Sequence, residues 1–287
     1  MNILFDMETN DPDDMMTLCW LASHPKIKLR GLTVMPGTPA QLGLIKKVLE
    51  LTAHEPIPIG SWNFAHEKDC VSKFHFDWLG AAIEGVKSHG PGFELISELI
   101  AAYPDLQIIT GAPLKNFKEI ASSMKLTRWV AQGGFAGDNV VPEAYRLEKF
   151  AGRITCPTFN FNGDYKTALA MLENPNIEEK RLVSKNVCHG MVYDQDWQER
   201  IYPHRHQSAG LELIYKGMEL YLAKSPNGKK FHDPLAAVVA VNPEVCEFRE
   251  VRMFRQKGEW GAELCEGTNT FISVKANLDK FFEVFLG

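Results

Sequence analysis

The sequence lacks several features that would assign it to a class at once. It has no C-x-x-C pair, no basic excess and no apolar stretch of membrane-spanning length. A net charge of -5 gives no electrostatic footprint for nucleic acid or an anionic membrane. The scattered cysteines indicate reduced thiols rather than a disulfide framework or a zinc site. We therefore expect a cytoplasmic protein that binds small molecules, with no nucleic-acid or membrane partner.

The amino terminus also lacks the basic and apolar regions of a signal peptide, so we expect neither secretion nor membrane insertion. With 287 residues and 45% hydrophobic content, the chain can bury a large core. We predict a single α/β domain over residues 1–287. Its sheet is expected to be open and mainly parallel, because short apolar runs alternate with helical patterns.

The predicted strands end in Gly or Pro or run into an acidic loop: "NILFDME", "KLRGLTVMPG", "PIPIGSW", "LQIITGAP" and "RWVAQGG". Amphipathic helices are predicted at "DDMMTLCWLASH", "AQLGLIKKVLELTA", "FELISELIAAY", "TALAMLEN" and "LELIYKGMELYLA". Residues 244–276 predict a small β-meander, and "NLDKFFEVFL" predicts a closing helix.

The segment "FDMETNDPDD" concentrates negative charge after the first strand, in Asp6, Glu8, Asp11, Asp13 and Asp14. Carboxylates this close repel one another, so a compact site needs a cation or protons. Oxygen ligands favour Ca²⁺ or Mg²⁺ over zinc. An EF-hand is excluded, because the sixth and twelfth positions hold Asp11 and Thr17. The alternative is a solvated loop in which Asp11 forms a turn before Pro12.

Ligands of open parallel sheets bind beyond the carboxyl ends of strands. The acidic segment and "TGAP" are both predicted to emerge there, so we expect the two loops to face one cleft. Farther along, His232 and Asp233 precede an apolar helical stretch in "KFHDPLAAVVAV". Asp233 is a candidate helix N-cap, which is compatible with a role as ligand. "SHGPGF" and "TGAPLKN" are also compatible with ordinary turns.

Taken in order, these motifs resemble the inosine-uridine nucleoside hydrolases, which are calcium-dependent N-ribohydrolases of an open α/β fold. "DMETNDPDD" is similar to their D-x-D-P-G-x-D-D motif, "SHGPG" to H-G-x-x-G and "TGAPLKN" to T-G-P-L-T-N. "QGG" is similar to the M-G-G strand end, "FNFNGDYKTALAML" to the E-F-N segment and "FHDPLAAV" to H-D-P-x-A-V. The resemblance spans nearly the whole chain and implies cleavage of a ribonucleoside into ribose and a free base.

The resemblance implies a calcium site made by Glu8, Asp14, Asp233 and the backbone carbonyl of Thr110. It also implies that Glu8 orients and deprotonates the attacking water, while Asp13 holds the ribose 2′-hydroxyl. Glu8 replaces an aspartate of the family, and the loop before Asp13 is one residue longer.

For the sugar, the resemblance implies contacts from Asn139 and Asn160. Thr158 stands where the family has the glutamate that holds the ribose 5′-hydroxyl. The segment between the two asparagines is much longer than in the family. Three cationic residues of this segment have near-helical spacing: Arg146, Lys149 and Arg153. They are predicted either to supply positive charge over the 5′ end of the sugar or to lie on a solvated surface helix.

For the base, the resemblance places His232 and His89 near the leaving group, with His232 as the candidate acid. Tyr193, Trp197 and His189 in "NVCHGMVYDQDW" are candidate base contacts, or parts of a packed loop. Two other hypotheses remain open: a hydrolase for a modified or 5′-substituted nucleoside, and a catalytically silent calcium-dependent sugar-binding protein. The resemblance further implies a homodimer or homotetramer.

Overall fold

The computed structural model describes residues 1–52, 56–68, 70–80 and 83–287. The strands of one large sheet are β1 (Asn2–Met7), β2 (Lys28–Val34), β3 (Ile59–Ser61), β4 (Gly90–Pro91), β5 (Gln107–Thr110), β6 (Leu126–Gln132), β7 (Thr155–Cys156), β8 (Ile177–Val183), β11 (Cys246–Gln256), β12 (Glu259–Leu264) and β13 (Thr270–Ala276). Their order in the sheet is β4-β3-β2-β1-β5-β6-β8-β13-β11-β12-β7. A separate antiparallel pair consists of β9 (Val192–Tyr193) and β10 (Lys229–Lys230).

Helices cover both faces of the sheet. They are α1 (Pro12–Ser23), α2 (Pro39–Thr52), α3 (Lys73–Leu79), α4 (Gly92–Ala102), α5 (Phe159–Gly163), α6 (Tyr165–Glu173), α7 (Lys185–Cys188), α8 (Gln195–Ile201), α9 (Ala209–Lys224), α10 (His232–Val241) and α11 (Leu278–Phe285). The predicted helix "AQLGLIKKVLELTA" corresponds to α2, and its last residue, Ala53, lies outside the described residues. Among the described helices, none is long and apolar enough to cross a bilayer.

Strand alternation divides the core between the two faces of the sheet. Ile3, Phe5 and Met7 of β1 join a cluster with α1, α2, α9, α10 and α11. Leu4 of the same strand joins a second cluster with α4, α5 and α6. Successive side chains of a strand point to opposite faces, so one short apolar strand contributes to both clusters.

The fold class is confirmed: the sheet is mostly parallel from β4 to β13, and the carboxyl-terminal strands add antiparallel pairs and a closing helix. The predicted meander is not a separate unit, because β13 pairs in parallel with β8 of the main sheet. Strand β8 was not predicted, because its residues "IEEKRLV" are rich in charge. Arg128 and Arg181 hold Glu179 of β8 at 2.6 and 2.7 Å, which allows these charged residues to lie in a central strand.

The long segment before Asn160 does not form the surface helix that near-helical spacing predicts. It contains two short 3-10 turns, Glu143–Tyr145 and Glu148–Phe150. Its three cations are therefore not aligned on one helix face. Arg146 donates to the carbonyls of Val141 and Asp138, whereas Lys149 contacts His189.

Candidate active site

The carboxyl ends of the central strands bring distant acidic residues together. Asp13 and Asp14 lie in the first turn of α1, directly after β1, and Asp233 lies in the first turn of α10. Carboxylate oxygens of these three residues lie within 4.8 Å of one another. The backbone N–H of Glu8 donates to Asp14 Oδ1 at 3.0 Å, which ties the end of β1 to the same place. We call Glu8, Asp11, Asp13, Asp14 and Asp233 the acidic cluster.

Asp13 is held by both of its carboxylate oxygens. Oδ2 accepts from the backbone N–H groups of His232 and Asp233 at 2.9 and 3.3 Å, at the amino terminus of α10. Oδ1 lies 3.1 Å from Lys229 Nζ. Burial has the largest single effect and disfavours the charged carboxylate, but the charges of Lys229 and His232 and the hydrogen bonds from Asp11 and Lys229 together lower the pKa of Asp13. Asp13 is thus an ionised anchor between α1 and α10.

Lys229 is a cation inside the site that the sequence analysis missed. Its ammonium lies 2.7 Å from Asp11 Oδ1 and 3.1 Å from Asp13 Oδ1, and it donates to the Lys230 carbonyl at 3.1 Å. The side chain is only 8% exposed. Burial opposes its charge, but the two carboxylates more than compensate and raise its pKa. The chain therefore supplies part of the positive charge that the acidic segment requires.

The rest of the cluster still lacks positive charge. Burial and the negative charges around them raise the pKa of Asp14 and of Asp233 well above the usual range. Burial and the charges of Asp11, Asp13 and Asp6 raise the pKa of Glu8 to about 7. Asp233 Oδ1 is buried and has no hydrogen-bond partner in the described part of the chain. Buried oxygen donors with unmet charge fit a hard divalent cation such as calcium.

The loop after β5 passes directly beside this orphaned carboxylate. Thr110 ends β5, where it pairs with Asp6 of β1, and Gly111 donates its N–H to the Asp6 carbonyl at 2.8 Å. A Cβ added at Gly111 would lie 2.7 Å from Asp233 Oδ1, so only glycine permits this approach. The acidic segment and "TGAP" thus meet, as predicted, and Thr110 precedes the glycine that approaches Asp233.

Asn160 belongs to the same edge of the sheet. Its amide donates to the carbonyls of Gly111 and Gln132 at 3.0 and 3.1 Å, and to Gln132 Oε1 at 2.7 Å. Gln132 is the last residue of β6, and the sequence analysis did not select it. Its position at the carboxyl end of a central strand could have marked Gln132 as a candidate site residue. Asn160 is therefore beside the Thr110 loop, and Gln132 orients it.

Asp6 lies behind the cluster rather than in it. Thr33 and Asn116 donate to its Oδ1 at 2.7 and 2.8 Å, and burial raises its pKa to about 7. Its other oxygen is buried without a partner among the residues that the structure describes. Asp6 contributes negative charge to the surroundings of Glu8 and fixes the ends of β1, β2 and β5.

Two histidines, His232 and His189, lie close together near Asp13. His232 Nδ1 lies 4.0 Å from Asp13 Oδ2, and its ring centroid is 5.7 Å from that of His189. His232 Nε2 is buried with no hydrogen-bond partner within the described ranges. Phe150 packs edge-on against His189, and Lys149 Nζ lies 3.1 Å from His189 Nδ1. The long segment before Asn160 therefore reaches this histidine pair.

Thr158 and Asn139 have contrasting surroundings. Thr158 is 4% exposed, and its hydroxyl has no hydrogen-bond partner among the described residues. The preceding residue, Pro157, accepts from Lys185 Nζ at 2.8 Å. Asn139 is exposed and donates to the Ala262 carbonyl of β12 at 2.7 Å. That contact commits the Asn139 amide to the antiparallel part of the sheet.

The structure does not group His89, Tyr193 or Trp197 with the acidic cluster. His89 Nδ1 accepts from the Ile59 N–H at 2.9 Å beside β4, three strands from β1 and hence roughly 14 Å away at ordinary strand spacing. Tyr193 is fully buried and donates to Gln198 at 2.6 Å. Trp197 packs among Phe231 and the phenylalanines of α11. These surroundings favour the packed-loop alternative for Tyr193 and Trp197.

A cavity of about 600 Å³ lies away from the acidic cluster. It is lined by the carboxyl-terminal end of α1 and by α11, including His24, Arg200 and Glu283. The chemical groups that single out the cluster are therefore its buried carboxylates and histidines, and not the size of its cavity.

Comparison with known proteins identifies the fold class. The chain matches an inosine-uridine preferring nucleoside hydrolase from Bacillus anthracis with a TM-score of 0.71 and 16% identity, over 99% of this chain and 97% of the other. A purine-preferring ribonucleoside hydrolase from Gardnerella vaginalis matches with a TM-score of 0.69 and 14% identity, over 100% and 97%. The chain therefore has the nucleoside hydrolase fold over its full length.

Sequence comparison adds one relative. The chain is 27% identical over 277 residues to an uncharacterized protein of Aquifex aeolicus (strain VF5), covering 91% of this chain and 90% of that protein. No family model matches the sequence. At these identities the structural matches define the fold, and the chemistry must be argued from the site.

Proposed function

We propose that the protein hydrolyses the N-glycosidic bond of a ribonucleoside or related N-riboside, giving ribose and a free base, with calcium bound at the acidic cluster. The observation that carries this proposal is the convergence of Asp13, Asp14 and Asp233 within 4.8 Å at the carboxyl edge of a nucleoside hydrolase fold. Asp233 Oδ1 is buried without a hydrogen-bond partner among the described residues, which supports the proposal that a cation binds there.

The proposed calcium ligands are Glu8, Asp14, Asp233 and the Thr110 carbonyl, an all-oxygen set that suits a hard cation. Bound calcium would offset the repulsion between these carboxylates and lower the pKa of a coordinated water. Asp13 is not proposed as a ligand, because Lys229 and two backbone N–H groups already engage its oxygens. Its role is to position the cluster and, through its remaining lone pairs, to accept from a ribose hydroxyl.

The chain's own groups account for the proton transfers. Glu8 is the proposed base, because its residue is tied to Asp14 at the end of β1, where its carboxylate could accept a proton from a water held beside the cluster. His232 is the proposed acid, because its Nε2 is buried and has no partner in the described chain. Asn160, held by Gln132, is proposed to present its amide oxygen to the electron-poor sugar, where positive charge develops as the bond breaks.

Further predictions concern Asn139, Thr158 and His89 as substrate contacts, of which Thr158 has the most suitable surroundings. We also propose, from the resemblance, a single domain that assembles as a homodimer or homotetramer. A cytoplasmic location is proposed from the cysteine composition, and no disulfide links the described residues.

A catalytically silent, calcium-dependent sugar-binding protein is the second candidate. Its supporting observation is the engagement of both Asp13 oxygens, which leaves less capacity for a ribose diol than a free carboxylate offers. Hydrolysis needs Glu8 as base and His232 as acid, whereas binding alone needs Glu8 only as a calcium ligand and does not need His232. Product formation therefore separates the two candidates.

The test is release of reducing sugar from a panel of nucleosides, with calcium and with a chelator. We expect release only with calcium, and loss of release in Asp14→Asn. The matched control is Asp279→Asn, an exposed aspartate whose side chain is 89% accessible, and it should retain wild-type activity. Calcium-dependent sugar binding without release would support the silent alternative, and neither binding nor release would exclude both.

A further inference from the structure

Three lysines lie near enough to His189 and His232 to act on them electrostatically. We call Lys149, Lys185 and Lys230 the lysine rim. Lys149 Nζ contacts His189 Nδ1 at 3.1 Å, Lys230 belongs to β10, and Lys185 begins α7 directly after β8. Burial and the positive charge of Lys149 lower the pKa of His189 to about 3, and Lys230 and Lys185 contribute in the same direction. The rim therefore acts electrostatically on the histidine that faces His232.

The lysine rim and Thr158 meet at Pro157. Lys185 Nζ donates to the Pro157 carbonyl at 2.8 Å, which leaves two of its three N–H donors for another acceptor. The next residue, Thr158, is 4% exposed and carries a hydroxyl without a hydrogen-bond partner in the described chain. A buried unpartnered hydroxyl is costly, so a ligand atom that pairs with it would be favoured. The Lys185 ammonium thus contacts the peptide group that directly precedes Thr158.

Charge in the site is consequently polarised. Acidic side chains crowd around Asp14 and Asp233, whereas Lys149 contacts His189 and Lys185 contacts the Pro157 carbonyl beside the neutral Thr158. Asn160 connects the two regions, since it follows Thr158 closely in sequence and contacts the Gly111 carbonyl beside Asp233. A substrate matched to this polarity has its neutral diol at the acidic end and negative charge at the opposite end.

We propose that the substrate is an N-riboside with a 5′-phosphate, that is, a ribonucleoside 5′-monophosphate, and that Lys185, Lys149 and the Thr158 hydroxyl bind the phosphate. This inference rests on the proposed function. In the reaction, water adds its oxygen to C1′ as the C1′–N bond breaks. One water proton passes to the Glu8 carboxylate, and the leaving nitrogen gains a proton from His232. The products are ribose 5-phosphate and the free nucleobase.

The first experiment compares kcat/KM for inosine and inosine 5′-monophosphate in the calcium-loaded wild-type protein. We expect the phosphate to be preferred by tenfold or more. Lys185→Met should reduce that preference about tenfold, the size expected for loss of one charge-assisted contact. Thr158→Glu should reduce it further, because a carboxylate repels phosphate. The matched control, Lys216→Met, removes an exposed lysine that pairs with Glu212 on α9 and should leave the preference unchanged.

A second experiment does not depend on turnover. Calorimetry should show ribose 5-phosphate binding more tightly than ribose, with the difference reduced in Lys185→Met and at high ionic strength. If this holds but no nucleoside or nucleotide is cleaved, the proposed function fails and the anion site stands. If inosine and inosine 5′-monophosphate have equal kcat/KM, and ribose 5-phosphate binds no more tightly than ribose, the anion site fails and the proposed function stands.

A third substrate locates the negative charge. Orotidine carries a carboxylate on the base and a free 5′-hydroxyl. A preference for orotidine over inosine, with no effect of a 5′-phosphate, would place the anion on the base and overturn the assignment of Lys185 and Thr158 to the phosphate. Equal rates on orotidine and inosine, together with faster cleavage of the 5′-phosphate, would support it.

Discussion

Replacement of Lys229 by Met should destabilise the protein strongly when calcium is absent. Lys229 is 8% exposed and is the counter-charge at 2.7 and 3.1 Å for Asp11 and Asp13. Removing one partner of a buried ion pair typically costs about 3–5 kcal/mol, because the other charge stays buried and uncompensated. For 287 residues the unfolding entropy is about 0.6 kcal/mol/K, so the expected fall in Tm is about 5–8 °C.

The assay is thermal unfolding in the presence of a chelator. Lys224→Met is the matched control, because Lys224 lies 2.7 Å from Asp77 in an exposed pair whose side chains are 67% and 56% accessible. An exposed pair contributes at most about 1 kcal/mol, so this control should shift Tm by less than about 2 °C. Adding Asp11→Asn to Lys229→Met should restore part of the loss, since it removes one unpaired carboxylate.

Calcium should stabilise Lys229→Met more than it stabilises the wild-type protein, because the variant has a larger excess of negative charge near the proposed calcium ligands. A Tm for Lys229→Met within 2 °C of the wild-type value in chelator would refute the reasoning. It would mean that Asp11 and Asp13 do not depend on this lysine for their charge compensation.

Three other changes test separate parts of the account. Asp14→Asn removes a proposed ligand, so we expect less than one calcium per chain by elemental analysis and a smaller calcium-induced rise in Tm; unchanged metal content would contradict the ligand assignment. His232→Ala should slow cleavage of inosine by about 10²-fold or more while sparing p-nitrophenyl riboside, whose leaving group needs little protonation; equal losses would argue against an acid. His75 is fully buried, and burial lowers its pKa to about 4. Between pH 6.5 and 4 the unfolded chain therefore binds more protons than the folded chain, and the free energy of unfolding decreases as the pH is lowered, by up to about 3 kcal/mol from this residue. His75→Gln should flatten the dependence of unfolding free energy on pH in that range, and an unchanged slope would show that His75 does not titrate there.

Local pattern explains which strands the sequence could predict. Strands β1, β5 and β6 are apolar and meet a turn or an acidic loop at the carboxyl edge, so their ends also locate the site. Strand β8 was missed because its charged residues pair with a neighbouring strand. Arg128 of β6 meets Glu179 of β8 only after the two strands pair, 51 residues apart in sequence. Such a contact leaves no local periodicity.

The same distinction applies to the site. Asp13 and Asp14 were predictable because they follow a short apolar strand of the parallel sheet, whereas Asp233 was selected because its local motif resembles that of a known family. Lys229 was not, since a lysine pair after glycine is typical of an exposed turn. Its burial follows from the pairing of β9 with β10 and from contact with Asp11 and Asp13, more than 200 residues earlier in the chain. Tertiary structure alone converts that lysine into the counter-charge of the acidic cluster.

The most direct test of the central claim is a single titration that follows both calcium binding and turnover. Metal-free protein would be supplied with increasing calcium, and bound calcium per chain and the rate of base release from a cleaved N-riboside would be measured on the same samples. The account predicts that the rate rises in proportion to bound calcium and levels off at one ion per chain. Full activity in protein that binds no calcium, or one bound calcium with no cleavage of any N-riboside, would contradict it.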